Sequence, residues 1–173
     1  MSLTSRSGEL GCEDIISWKD EATGLRAILV IDDSTLGPAA GGIRTRAYEN
    51  EEAALIEVAG LARAMTLKCA LGGLEAGGAK AVVLADELKD RAGAFERLGM
   101  FIEELDGRFR TAGDLGTTDQ DLEALAKSTQ YVHTNTSELA ASVARGLEGC
   151  ILACGRVLGR AELRGLKVAI QGC

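Results

Sequence analysis

Two lysines and one aspartate stand in settings that ordinary surface residues do not share. Lys68 ends the apolar stretch AALIEVAGLARAMTLKCA, and Lys80 opens the apolar run KAVVLAD. A lysine at either place must reach water along its own methylenes or stay buried with a partner. If fixed, one ammonium could hold a carboxylate. The other, desolvated and near a like charge, would have its pKa drawn down toward the range useful for proton transfer. Asp114 lies between Gly113 and Leu115 at the start of GDLGTTDQD. It could cap the turn before the next helix, or supply the carboxylate that such an amine needs. Two glycine pairs, Gly41–Gly42 and Gly77–Gly78, accompany these residues. Glycines permit close approach of main chain to a ligand, although tight packing and turns account for most of them.

These residues fall in three segments, 37–46, 65–80 and 112–117, each expected at a strand end or between elements. In open α/β sheets ligands gather outside the carboxyl ends of strands. The elements that must position them follow from pattern. Asp14–Trp18 and Leu25–Ile31 read as a hairpin with its turn near Ala22–Gly24. The first ten residues are polar and patternless, and read as a loose start. LGPAAGGIRTR, 36–46, reads as a glycine-rich bend followed by a short extended piece, with Pro38 opening the bend. Asn50 can cap a helix running to about residue 70, with Glu51 and Glu52 at its positive end. A buried strand is expected over Lys80–Asp86, a helix over 89–106 and a short strand over Arg108–Ala112. Thr118 or Asp119 caps a helix to about Lys127, and Gln130–His133 reads as another short strand. An amphipathic helix over Ser137–Gly159 precedes an apolar strand, LKVAIQG, at 166–172. The alternation predicts an α/β fold, a mostly parallel mixed sheet with flanking helices.

Composition narrows the function classes. The chain has 173 residues, a net charge of −7 and no basic stripe, so nucleic acid is not expected as a partner. No apolar run reaches the ~18–20 residues of a membrane span. Aromatics are only 3%, so the core must rest on Ala, Val, Leu and Ile. The five cysteines form no CxxC pair and the lone His133 has no ligand cluster, so no metal site is expected. An odd thiol count without a signal peptide points to a reducing, cytoplasmic setting.

LGPAAGGIRTR, MTLKCALGGLEAGGAKAVV and AGDLGTTDQD together resemble the amino-acid dehydrogenases of the glutamate, leucine, phenylalanine and valine class, leucine dehydrogenase in particular. The match runs through nearly all of residues 12–130, in order, with Lys68 and Lys80 twelve apart as the two site lysines of the family are. The resemblance implies reversible oxidative deamination: amino acid and NAD (NADP as the alternative) give a 2-oxo acid, ammonia and the reduced cofactor. It implies that Lys68 binds the substrate α-carboxylate, with Gly41 and Gly42 lining the same pocket. Lys80 would polarise the carbonyl and water during imine hydrolysis, and Asp114 would relay protons at the amino group. Ala40 stands where the glutamate enzymes carry a lysine, which favours a bulky apolar or aromatic side chain over glutamate. Met65 and Ala112 would add apolar wall. A homo-oligomer, dimer or larger, is implied as well.

The resemblance also organises the chain: a substrate-binding and dimerisation domain at 12–135, then a linking helix and the first strand of an incomplete Rossmann domain at 136–173. Gly172 would be the first glycine of the G-x-G-x-x-G fingerprint, and no helix follows it to meet a pyrophosphate. The segment after His133, TNTSELAASVARGLEGC, lacks the glycines, proline and threonine of the family there, and Leu139 falls at the threonine position. This chain alone is therefore expected neither to bind NAD well nor to turn over. The altered segment supports an alternative, a non-catalytic assembly or binding domain descended from the same family.

Overall fold

The computed structural model describes residues 3–135, 138–160 and 164–170. The chain divides into two compact units, 1–134 and 135–173. The first holds a five-stranded sheet with helices on both faces. Its strands are β1 (Asp14–Asp20), β2 (Leu25–Asp33), β3 (Ala39–Arg46), β4 (Gly77–Leu84) and β5 (Phe109–Gly113), in the order β1-β2-β4-β3-β5. β2 runs antiparallel to β1 and β4, while β3 runs parallel to β4 and β5. Four of the five strands therefore point one way, and the mixed, mostly parallel α/β sheet expected from the alternation is present.

Three helices of the first unit start where local chemistry asks for it. In α2 (Glu51–Leu71) the Asn50 side chain accepts from the Ala53 N–H, and Glu51 and Glu52 occupy the positive end. Asp90 caps α3 (Arg91–Glu103) by accepting from the Gly93 N–H. Thr118 and Asp121 make a reciprocal capping box at α4 (Asp119–Ala126).

Strand alternation sends side chains to two cores. On one face Leu25, Leu29, Ile31, Ala39, Ile43, Ala79, Ala81, Val83 and Phe109 meet Phe95, Leu98 and Ile102 of α3 and Leu122 and Leu125 of α4. On the other face Ile15, Val30, Val82 and Leu84 meet Ala54, Leu55, Val58 and Ala62 of α2. Phe95 and Phe109 are the bulkiest fully buried side chains, so the few aromatics anchor a core otherwise built from aliphatics.

Several expectations need correction. The first residues form α1 (Leu3–Leu10), which Arg6 ties to Glu9 at 3.0 Å and to Glu52 of α2. The glycine-rich bend is shorter than expected, because Gly41 and Gly42 lie inside β3 with strands paired on both sides. Main-chain pairing on both edges offsets the entropy that two glycines lose. Gln130–His133 contributes only a single parallel bridge, Thr111 to Val132, at the outer edge of β5.

The second unit contains α5 (Leu139–Val157). Residues 166–170 are not a strand. Their amides and carbonyls have no strand beside them among the described residues of this unit, and an extended segment without a ladder is not held as a strand. Ser137, Gln171 and Gly172 lie outside the described residues. Among the described residues no helix is long and apolar enough to cross a membrane.

Candidate functional site

The α2-facing side of the sheet carries the unusual residues. Along β3 the residues on that side are Ala40, Gly42 and Arg44, since Ala39, Gly41, Ile43 and Thr45 are buried on the other. Along β4 they are Gly78, Lys80 and Val82, and along β5 Arg110 and Ala112, with Asp114 directly after the strand. Register places Gly42 opposite Ala112, and Ala40 between Gly78 and Arg110.

Lys80 and Asp114 meet there. Lys80 Nζ stands 2.9 Å from Asp114 Oδ2, with the lysine side chain 8% exposed and the aspartate 25%. Gly42 lies beneath the pair. A Cβ on Gly42 would stand 2.8 Å from the Gly113 carbonyl oxygen, 3.1 Å from Asp114 Cβ and 3.2 Å from Lys80 Nζ. Any side chain at this position would therefore push into the space that the pair occupies. Burial draws the Lys80 amine below the ordinary lysine value; contact with Asp114 opposes that, and the charges of Arg44 and Lys68 add to it. Burial alone would raise the Asp114 carboxyl, but Lys80 and Arg44 outweigh it, so it lies below the ordinary carboxyl value.

Lys68 sits in the last turn of α2 and is exposed, and among the described residues it makes no ion pair. Its charge is nonetheless felt at Lys80. What brings α2 this close is Gly78: a Cβ there would lie 2.1 Å from the Thr66 amide nitrogen, so helix and strand touch main chain to main chain. Thr66 fixes the contact by donating to Asp32 Oδ2 at 2.6 Å. Met65, beside it, is half-buried.

The loop that carries Asp114 is tied on three sides. The Thr45 amide donates to the Leu115 carbonyl at 2.9 Å, and Thr117 Oγ1 donates to the Ile43 carbonyl at 2.7 Å. Arg91, at the start of α3, donates to the Gly116 carbonyl at 2.7 Å while pairing with buried Asp121 at 2.6 and 2.8 Å. Gly116 has φ +78°, and a Cβ there would strike the Thr45 carbonyl at 1.9 Å, so this turn requires glycine.

The structure thus gathers Lys80, Asp114, Gly42, Ala40 and Ala112 on one face, with Lys68 close by on α2. Gly41 turns to the opposite face, against the main chain of Ala79. The second glycine pair serves packing, Gly77 against Asp33 and Gly78 against Thr66. Gly172 is outside the described residues. A separate groove lies between β1, β2 and the start of α2, lined among others by Ile15, Lys19, Arg26 and Glu51. It contains none of the residues above. Sequence reading missed Arg44, which donates to Asp114 Oδ2 at 2.8 Å and to Glu57 Oε1 at 2.6 Å. The available signal was the alternation 40, 42, 44, which the expected bend concealed. Among the described residues no group of three or more His, Cys, Asp or Glu is arranged to hold a metal ion.

Comparison with known proteins agrees with this fold. The Glu/Leu/Phe/Val dehydrogenase dimerisation domain matches residues 12–131. Leucine dehydrogenase of Bacillus subtilis is 40% identical over 171 residues, covering 92% of this chain and 46% of the relative. Phenylalanine dehydrogenase of Lysinibacillus sphaericus is 39% identical over 168 residues, covering 92% of this chain and 44% of the relative. The crystal structure of L-tryptophan dehydrogenase from Nostoc punctiforme superposes with a TM-score of 0.70 at 37% identity, over 75% of this chain and 38% of that one. The chain thus spans about half the length of the curated relatives it matches. It belongs to the Glu/Leu/Phe/Val dehydrogenase family, through the dimerisation domain of that family.

Proposed function

We propose that this chain is the substrate-binding and dimerisation part of an NAD-dependent amino-acid dehydrogenase, which converts an apolar L-amino acid reversibly to its 2-oxo acid and ammonia. The observation that carries the reading is the Lys80–Asp114 contact at 2.9 Å above Gly42. A desolvated amine and an ionised carboxylate with displaced pKa values are what paired proton transfers at an imine need. Lys68 supplies a free ammonium for the α-carboxylate. Lys80 polarises the carbonyl oxygen and the attacking water, and a proton passes between its Nζ and Asp114 Oδ2. Asp114 relays that proton at the amino group.

The described residues of the second unit form no strand, glycine turn and helix start to receive a pyrophosphate. The hydride acceptor, NAD or NADP, therefore enters no step derived from this chain.

Ala40 leaves room beside Gly42, and the names of the leucine, phenylalanine and tryptophan dehydrogenase relatives support an apolar side chain. One observation favours a second reading. Arg110 stands opposite Ala40 in register, exposed and on the same face, and could meet an acidic side chain. Titrating the chain with the 2-oxo acids of leucine, phenylalanine and glutamate separates the two. The apolar acids are expected to shift the amide resonances of Gly42, Ala112 and Lys68, and Lys68→Ala to weaken this. A response to the glutamate-derived acid alone, lost in Arg110→Ala, would favour the second reading, and no response to any would remove both. In an enzyme carrying this domain, Lys80→Ala should abolish turnover and Lys68→Ala should mainly raise KM. The chain should also sediment as a dimer or larger homo-oligomer, and a monomer at all concentrations would contradict that.

A further inference from the structure

Asp114 Oδ2 is held by two cations, Lys80 Nζ at 2.9 Å and Arg44 Nε at 2.8 Å. Arg44 is itself held at its other end, where Nη1 donates to Glu57 Oε1 of α2 at 2.6 Å. The second oxygen of Glu57 takes Arg46 at 3.4 Å. The Arg44 side chain is only 20% exposed, so its guanidinium forms a fixed bridge from the Asp114 loop to α2.

Two partners on one carboxylate have a consequence for proton transfer. With Lys80 alone, loss of the lysine proton would leave a half-buried anion unpaired, which strongly opposes that loss. An arginine does not lose its proton in this range. We infer that Arg44 is a positioning residue, the permanent counter-ion that holds the Asp114 carboxylate in place while Lys80 is neutral, with Glu57 fixing the guanidinium. This rests on the reading of Lys80 as the working amine.

The charged groups facing Lys80 are Asp114 after β5, Arg44 from β3 and Lys68 from α2, while β2 presents uncharged Val30 in register. Geometry favours arginine over lysine at position 44. Nε and Nη1 donate in different directions to Asp114 and Glu57, whereas a single ammonium cannot span both with the same rigidity.

The test is the titration of Lys80 in the 173-residue chain, read from its Cε resonance in lysine-labelled protein and assigned with Lys80→Arg. Arg44→Gln keeps an amide that can bond Asp114 but removes the charge. It is expected to raise the Lys80 midpoint by about one pH unit, tenfold in proton affinity. Arg44→Lys, which restores the charge, should stay within about half of that shift. Lys68 should move little in either variant. An unchanged Lys80 midpoint in folded Arg44→Gln overturns the inference. If that variant does not fold, the parent chain decides. The Arg44 Nε nitrogen should hold its chemical shift through the Lys80 transition, and a jump in step with Lys80 overturns the inference. Neither readout depends on turnover or substrate binding, so failure to bind any 2-oxo acid would sink the proposed function and leave this result standing.

Discussion

Asp114→Asn isolates the charge at the centre of the site while leaving its shape nearly intact. Asparagine can still accept from Arg44 Nε and Lys80 Nζ, which now lie 2.8 and 2.9 Å from Oδ2. What is lost is the anion beside a lysine whose side chain is 8% exposed. Breaking a buried ion pair by removing one partner costs about 3–5 kcal/mol. Because the aspartate is a quarter exposed, the low end applies, about 3 kcal/mol. A ceiling comes from the lysine itself, which can shed its proton rather than stay charged and unpaired. Neutralising an ordinary lysine costs about 4.6 kcal/mol at pH 7 but only about 1.9 kcal/mol at pH 9. The sign follows from proton binding. In the variant, folded Lys80 holds less proton than unfolded Lys80 across this range, so the stability of the variant climbs with pH faster than that of the parent. The deficit should therefore be about 3 kcal/mol at pH 7 and below about 2 kcal/mol at pH 9. Urea unfolding followed by Trp18, the single tryptophan, half-buried and stacked on Phe101 in the same unit, measures both. An equal deficit at the two pH values, or one under about 0.5 kcal/mol, would refute the claim that Lys80 depends on this carboxylate.

Three further outcomes are expected. Gly42→Ala places a Cβ 2.8 Å from the Gly113 carbonyl oxygen, a main-chain atom that yields only if the end of β5 moves; the expected cost is about 1–3 kcal/mol, with loss of the 2-oxo acid response, read by urea unfolding and amide shifts. Asp121→Ala removes the capping box and the ion-pair partner of Arg91, for a loss of about 1–2 kcal/mol at neutral pH. Burial would raise the Asp121 carboxyl, but Arg91 and Thr118 hold it below its ordinary 3.8, so its stabilisation is present above that value and fades as pH falls through the lower folded one. Parent and variant should thus converge in acid, and a constant gap between pH 6 and pH 2 would contradict the assignment. The chain should give no saturable change in NADH fluorescence, and clear micromolar binding would mean that the second unit has been misread.

How much was legible in the sequence differs by element for physical reasons. α2 and α4 announced themselves through Asn50, the acidic first turn and Thr118, because capping is a local interaction between residues three apart. β4 was visible as a continuous apolar run, the mark of a strand covered on both faces. β3 was only half visible. Two of its eight residues have no side chain, so the alternation that reveals a strand is silent there, and Gly41 and Gly42 look like a bend. That gap hid Arg44, whose importance depends on standing two residues beyond Gly42 on the same face. Lys68 and Lys80 stood out as charges in apolar settings, yet their proximity depends on Gly78 letting α2 touch β4, a contact between residues far apart in sequence. The apolar stretch at 166–170 has the composition of a strand without a neighbouring strand among the described residues, and composition cannot supply one.

The placement of small residues makes the strongest physical case that this face is a site. On the far side of β3 and β5, the residues under α3 and α4 are Ala39, Ile43, Phe109 and Thr111, all buried, as a helix-covered face requires. On the near side, the same two strands present Ala40, Gly42 and Ala112, none fully buried, flanked by Arg44 and Arg110. α2 packs chiefly on β4 and β2, so it closes the apolar part of that face and leaves this part open. A face built only for packing would fill the gap with large apolar side chains, since burial of each contributes about 1.5–3 kcal/mol. Here the floor is kept low and a desolvated Lys80–Asp114–Arg44 cluster is kept at its edge, where packed apolar side chains of similar volume would hold the fold at least as well. An arrangement that sacrifices packing on one face of two strands while preserving it on the other is what the proposed substrate pocket requires.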